Sequence, residues 1–324
     1  MKSYRRVKRY IGKIIMVLML LSAGIPFSTA LGKYPEVPRY FFSGDGEITL
    51  YSQKNGRSFS GVYRKSSGSY DPKALRRISR LFDAPCESSS MELSLRLIEF
   101  IDYLEDRLNK GSKVTITSGY RKPKYNTMLR ERGNLAAKAS LHQYGMAADL
   151  KIEGVEAETL WNYVKDLNFG GAGYYHGKIV HIDVGPARSW DETTSGVGSG
   201  ISDDNKLIEI VTDYDVYTPG MPVDLRFIRM TAFPIHVNHE FSLVRRNNQN
   251  ETEECMNFVP VFPIEQTGYC LELKNIEEMN HIKWIFPVDL KPGRYKILAR
   301  FCDDLWPDMP VQIQTPEFEI KIFE

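Results

Sequence analysis

Two histidine–aspartate pairs in the middle of the sequence have the residue types for metal chemistry. His142 precedes Asp149 by seven residues in Ser140-Leu-His142-Gln-Tyr-Gly145-Met-Ala-Ala-Asp149. His181 precedes Asp183 by two in Lys178-Ile-Val-His181-Ile-Asp183-Val-Gly185. Two imidazoles and one carboxylate suit a catalytic zinc, which takes three protein ligands and keeps a fourth position open. The donor types do not exclude other divalent metals. The spacing alone equally fits a hydrogen-bonded His–Asp pair with no metal, so the elements carrying these residues decide the matter.

Ala147–Ile152 and Ile179–Val184 read as short strands. Alternate side chains of a strand share a face, so His181 and Asp183 lie on one side and Val180, Ile182 and Val184 on the other. Asp149 likewise shares a face with Ala147 and Lys151. Pairing the two strands would bring Asp149 close to His181, with His142 arriving from the preceding loop. Around them, Glu47–Tyr51 and Ser58–Tyr63 flank the turn dipeptide Asn55-Gly56. Asp71–Phe82 reads as a helix with Asp71 as N-cap and Pro72 in first position. Met91–Leu108, Tyr125–Arg132 and Ala157–Leu167 are further helices, and Lys113–Thr117 a further strand. Helices around a small antiparallel sheet predict an α+β domain. Trp161, Tyr163 and Leu167 fit helix spacing and read as core.

The blocks around these residues resemble a family. S-x-H-x-x-G-x-A-x-D followed by H-x-D is similar to the signature of the zinc D-alanyl-D-alanine peptidases and murein endopeptidases that share the hedgehog-type fold. The chain looks most like the exported murein endopeptidase branch, formerly a domain of unknown function. The resemblance runs from about Glu47 to Trp190 through Tyr70-Asp-Pro-Lys-Ala-Leu75, Ser118-Gly-Tyr-Arg121-Lys-Pro123, Asn126-x-Met-Leu129, Gly170-Gly-Ala-Gly-Tyr-Tyr175 and His181-Ile-Asp-Val-Gly-Pro-Ala-Arg188-Ser-Trp190. It implies Zn2+ held by His142, Asp149 and His181. It implies that Arg121 binds the substrate's carbonyl or carboxylate and steadies an oxyanion, a role suited to a permanently charged guanidinium. Some relatives carry a Glu or a His shortly before the second histidine ligand as general base. Lys178 and Ile179 stand there, leaving Asp183, on the same strand face as His181, as the preferred base or orienter of a ligand histidine, with His176 as the alternative. The function implied is a zinc-dependent peptidoglycan (murein) peptidase cutting cross-link or stem-peptide bonds. The alternative is a non-catalytic, zinc-containing cell-wall or protein binding module. The residues leave open which bond is cut, D,D or L,D, and whether the action is endo- or carboxypeptidase.

The rest of the chain frames that site. Its 324 residues, 42% hydrophobic and 26% charged, exclude a collagen-like or wholly disordered chain and suggest two domains. Lys2, Arg5, Arg6, Lys8, Arg9 and Lys13 precede the uncharged stretch Ile14–Ile25 and the small residues Ser28 and Ala30. This pattern predicts an export signal over 1–30, a periplasmic or extracellular mature protein, and no membrane partner after cleavage. No acid lies in those first 30 residues, so the remainder is mildly acidic, which argues against nucleic acid as a partner. Asp191–Asn205 (DETTSGVGSGISDDN) has linker composition, separating a peptidase domain at 31–190 from 206–324. The later region alternates apolar and polar residues in Val223–Phe227 and Arg294–Phe301. Lys291-Pro-Gly-Arg-Tyr295 resembles the turn and tyrosine of an immunoglobulin-like β-sandwich, whose partner the sequence does not name. His236, His239 and His281 in this region read as ordinary surface or core histidines. Of four cysteines, Cys255 and Cys270 flank a short segment and form the expected disulfide, and no C-x-x-C motif offers a cysteine zinc site.

Overall fold

Asp71 and Pro72 open the first helix as the sequence predicts. The Asp71 carboxylate accepts from the Lys73 backbone N–H at 2.8 Å, and Pro72 occupies a position that needs no donor, in α1 (Pro72–Leu81). The next helix, α2 (Leu95–Asn109), starts later than expected, because Ser90 and Met91 pair with Cys86 and Glu87 in a two-residue hairpin and Ser94 takes the N-cap position. Leu97, Ile98, Phe100, Ile101 and Leu104 bury one side of α2. Two shorter helices, α3 (Pro123–Glu131) and α4 (Ala157–Leu167), complete the set. The computed structural model describes residues 39–323 apart from 88, 89, 92, 135, 176, 247–251, 266, 267, 303 and 304. The expected export signal over 1–30 lies outside the described residues.

Helices α1, α2 and α4 pack on a seven-stranded sheet built from β1 (Glu47–Ser52), β2 (Ser58–Val62), β3 (Lys113–Ser118), β4 (Ala147–Ile152), β5 (Gly171–Tyr174), β6 (Val180–Asp183) and β7 (Arg188–Asp191). The order is β2-β1-β3-β4-β6-β5-β7. The sheet is larger than expected and mixed: β1 runs parallel to β3 and β5 to β7, while the other pairs are antiparallel. Trp161 of α4 donates its indole N–H to Ala172 O at 3.1 Å, fastening that helix to β5.

Among the described residues after 205, the regular elements are strands and one short 3₁₀ turn, Glu277–Met279. One sheet joins Glu209–Thr212 (β8), Pro222–Ile228 (β10) and Ile282–Ile285 (β15). Another joins Val216–Tyr217 (β9), Phe241–Arg246 (β12), Thr252–Phe258 (β13), Gly293–Arg300 (β16), Gln312–Gln314 (β17) and Phe318–Ile320 (β18). A third pairs Ile235–Asn238 (β11) with Cys270–Leu273 (β14). Val223, Leu225 and Phe227 turn inward with Tyr295, Ile297 and Ala299, as the alternation predicts. The disulfide joins Cys270 to Cys302, not Cys255 to Cys270. The Cys302 N–H donates to His236 O beside the β11–β14 pair, whereas Cys255 stands exposed on β13 in a different sheet. His239 and His281 meet a backbone carbonyl (Tyr269) and a carboxylate (Asp224), as ordinary structural histidines do.

Both regions belong to one compact unit. Arg96 of α2 reaches across with Nη2 2.7 Å from Asp215 Oδ1, both side chains 7% exposed, and Nη1 donates to Thr212 O at 3.0 Å. Among the described residues, no helix is long and apolar enough to cross a membrane.

Candidate metal centre

β4 and β6 pair antiparallel in the register Asp149↔His181, so the expected approach follows from the strand ladder itself. His142 enters from a single 3₁₀ turn, Leu141–Tyr144, which Gly145 ends in the left-handed region at φ 61°. That turn is tied down from outside: the Tyr144 hydroxyl accepts from Met230 N and its carbonyl from Arg226 Nη1. Asp149 Oδ1 lies 2.9 Å from His181 Nδ1 and 3.3 Å from His142 Nε2, and the two imidazole nitrogens are 3.2 Å apart.

The far nitrogens fix the tautomers. His142 Nδ1 donates to Gly119 O at 2.7 Å, and a carbonyl can only accept. His181 Nε2 donates to Asp183 Oδ2 at 3.0 Å. A His142 lone pair, the second His181 nitrogen and a carboxylate oxygen therefore converge on one point. Something positive must sit among them, either a proton on His181 or a cation that displaces it. The separations match the edge of a tetrahedral zinc site, about 3.3 Å for ligands 2.0–2.1 Å from the ion. The donor set thus fits zinc.

The electrostatics agree. Burial lowers the His142 pKa and keeps the ring in the neutral, ligating form. Burial pushes the Asp149 carboxyl up, but His142 and His181 outweigh it and hold it well below the usual carboxylate range. His181 is raised: burial works against its charge, and hydrogen bonds to Asp149 and Asp183 outweigh that.

Asp183 is fully buried and saturated. Oδ1 accepts from Gly171 N, Gly185 N and Arg188 Nη1, and Oδ2 from His181 Nε2 and Arg188 Nη2. Burial alone would raise its pKa, but Arg188 and His181 drive it far down. Arg121 donates from Nη2 to Asp149 Oδ2 at 2.6 Å and from Nε to Ser118 Oγ at 3.0 Å. His176 lies outside the described residues.

Sequence reasoning assigned no role to Arg188, Gly119 or Gly171. Arg188 was visible as a cation five residues past Asp183, and the bidentate grip is what that spacing allows. Gly119 follows a bulge between β3 and β4, and its carbonyl receives His142. A Cβ there would sit 2.5 Å from Phe82 O. The trio opens on a cleft of about 1470 Å³, whose lining includes Arg121, Tyr175, Ile179 and Trp190. A second acidic group, Asp45, Asp102 and Asp106, meets the Lys110 ammonium at Asp45 and Asp106.

Comparison with known proteins bears on the same region. Residues 43–190 match the family model described as peptidoglycan L,D-endopeptidase MepK. The peptidoglycan L,D-endopeptidase MepK of Escherichia coli K12 is 31% identical over 144 residues, spanning 44% of this chain and 79% of that protein. The chain belongs to the MepK family. A probable MepK of Haemophilus influenzae is 26% identical over 145 residues, covering 44% of this chain and 77% of its own length. A chain from a structure of the superantigen toxic shock syndrome toxin-1 aligns over 36% of this chain at 9% identity with a TM-score of 0.24, too low to carry an argument. The family match contains His142, Asp149, His181 and Arg121 and stops at Trp190.

Proposed function

We propose that this chain is a zinc-dependent peptidoglycan L,D-endopeptidase acting outside the cytoplasm. The observation that carries the reading is the convergence of His142 Nε2, Asp149 Oδ1 and His181 Nδ1 at a cleft, in a family named for that reaction. His142, Asp149 and His181 would hold the ion. Zinc bound there supplies Lewis acidity toward the scissile carbonyl and toward water. Arg121 fixes Asp149 and offers the remainder of its guanidinium to the substrate's carbonyl oxygen as charge develops. Asp183, with both oxygens engaged, orients His181 rather than taking up a proton. His176 remains the candidate for the base. Arg188 holds Asp183 in place.

Residues 31–190 are read as a hedgehog-type peptidase domain and 206–324 as an immunoglobulin-like sandwich joined through 191–205. The Tyr295 hydroxyl donating to Lys291 O at 2.8 Å supports the second assignment, since such sandwiches carry a tyrosine bonded back to the backbone just upstream. Peptidoglycan lies outside the cytoplasm, which accords with an export signal over 1–30.

The test is the metal content of the purified mature protein. About one zinc per chain is expected, lost on replacing His142 or His181 by Ala while the thermal transition stays cooperative. Full occupancy in both variants would remove the trio as ligands.

A further inference from the structure

Residues 191–205 have linker composition, yet they follow one wall of the cleft in a defined path. Asp191 opens the segment: its carboxylate accepts from the backbone N–H groups of Thr193 and Thr194, both at 2.9 Å, and from their hydroxyls. Asn205 closes it. Fully buried, Asn205 accepts at Oδ1 from Thr231 N and Ala232 N and donates from Nδ2 to Ala232 O. Lys138 reaches over from the metal-bearing region to Asp203 at 3.3 Å. Between the anchors, Gly196, Gly198 and Gly200 adopt φ of 65°, 83° and 77°, values that favour glycine and allow the successive turns of the segment. Val197 and Ile201 line the same cleft as His142 and His181, and Ile201 is 56% exposed there.

This wall lies beyond the family match, which ends at Trp190. We propose that residues 192–203 form a substrate-binding wall of the cleft that takes the main chain and aliphatic side of an extended peptide. The proposal rests on the peptidase reading and deepens it. The cleft, about 1470 Å³, exceeds the roughly 300–1,000 Å³ that hold one small ligand, so its shape suits a length of polymer. Turns use part of this backbone, with Ser199 N–H donating to Gly196 O and Asp203 N–H to Gly200 O, and the backbone of Val197 and Gly198 outside those bonds is left for pairing with a peptide. Ile201 and Val197 are the apolar side chains of a mostly polar segment, and a bound peptide would cover the exposed Ile201. None of these residues touches the metal trio, so the wall acts on binding and not on the bond-breaking step.

The experiment compares the wild-type chain with Ile201→Asp and Val197→Asp, using Val288→Asp as a control at an 85% exposed site outside the cleft. Turnover of purified cross-linked muropeptides, co-sedimentation with intact sacculi, and zinc per chain are read together. The expected result is a rise in KM of about tenfold at nearly constant kcat in the two wall variants. Their pelleting with sacculi weakens, their zinc is unchanged, and the control behaves as wild type. Unchanged KM and pelleting in both wall variants would overturn the proposal, and so would loss of zinc or kcat in step with KM. A wild-type chain that pellets but does not cleave would refute the peptidase reading alone, and the wall would then stand or fall on sedimentation. A wild-type chain that does neither overturns both.

Discussion

At the scale of single residues, the chain uses buried carboxylates in opposite ways. Asp149, half-buried, and Asp183, fully buried, sit beside cations or donors and stay ionised. Asp102 of α2 is different. Its Oδ2 accepts from Gly46 N at 2.9 Å and the Tyr63 hydroxyl at 2.8 Å, yet burial, with Asp106 and Glu99 nearby, pushes its pKa up to about 7. The folded chain then keeps a proton that the unfolded chain releases above roughly pH 4. Stability from this group therefore falls as pH rises through the interval between those two values. An Asp102→Asn variant keeps an oxygen for both donors and has no proton to lose. Its thermal midpoint should decline less than that of the wild type between pH 5 and pH 8. Parallel declines in scanning calorimetry would mean that Asp102 does not titrate in that window.

At the scale of elements, the site depends on a strand that propensity disfavours. β5, Gly171-Ala-Gly-Tyr174, carries two glycines, and both are required by close approach. A Cβ on Gly171 would collide with Asp183 Oδ2, and one on Gly173 would meet the Trp190 ring at 2.7 Å. Gly171→Ala should displace the carboxylate that orients His181. The expected cost is about 1–3 kcal/mol of stability, together with weaker zinc retention in a chelator competition. Wild-type retention would show that the Asp183 contact is dispensable. The same strand shows where the sequence could be read and where it could not. β4 and β6 announce themselves by alternation, and the spacing of His181 and Asp183 places both on one face. β5 has no apolar alternation to betray it, and Gly170-Gly171 looks like a helix terminator. The Cys270–Cys302 disulfide was equally hidden, because it joins β14 to the bend after β16, a proximity set by sheet order and not by sequence distance. Residues 192–203 look like linker because composition reports side-chain polarity and says nothing of a path pinned by Asp191 and Asn205.

At the scale of the whole molecule, the β-rich region is built into the metal-bearing region. Arg96–Asp215 is a buried ion pair across the two, and Tyr144, two residues from His142, is held by Arg226 and Met230. Removing one partner of a buried pair leaves an uncompensated charge, typically costing about 3–5 kcal/mol. Proteolysis within 191–205 should therefore yield two fragments that co-elute on size exclusion, and Arg96→Ala should let them separate. Separate elution of the nicked wild-type halves would contradict this coupling. The central claim is that the His142–Asp149–His181 centre hydrolyses L,D-cross-links of peptidoglycan using zinc. It is tested most directly by mass spectrometry of muropeptides from purified sacculi digested by the mature chain. Products of L,D-cross-link cleavage should appear with zinc, disappear with chelator, return on zinc addition, and be absent with His181→Ala. An unchanged muropeptide profile with the zinc-loaded wild-type chain would contradict the account.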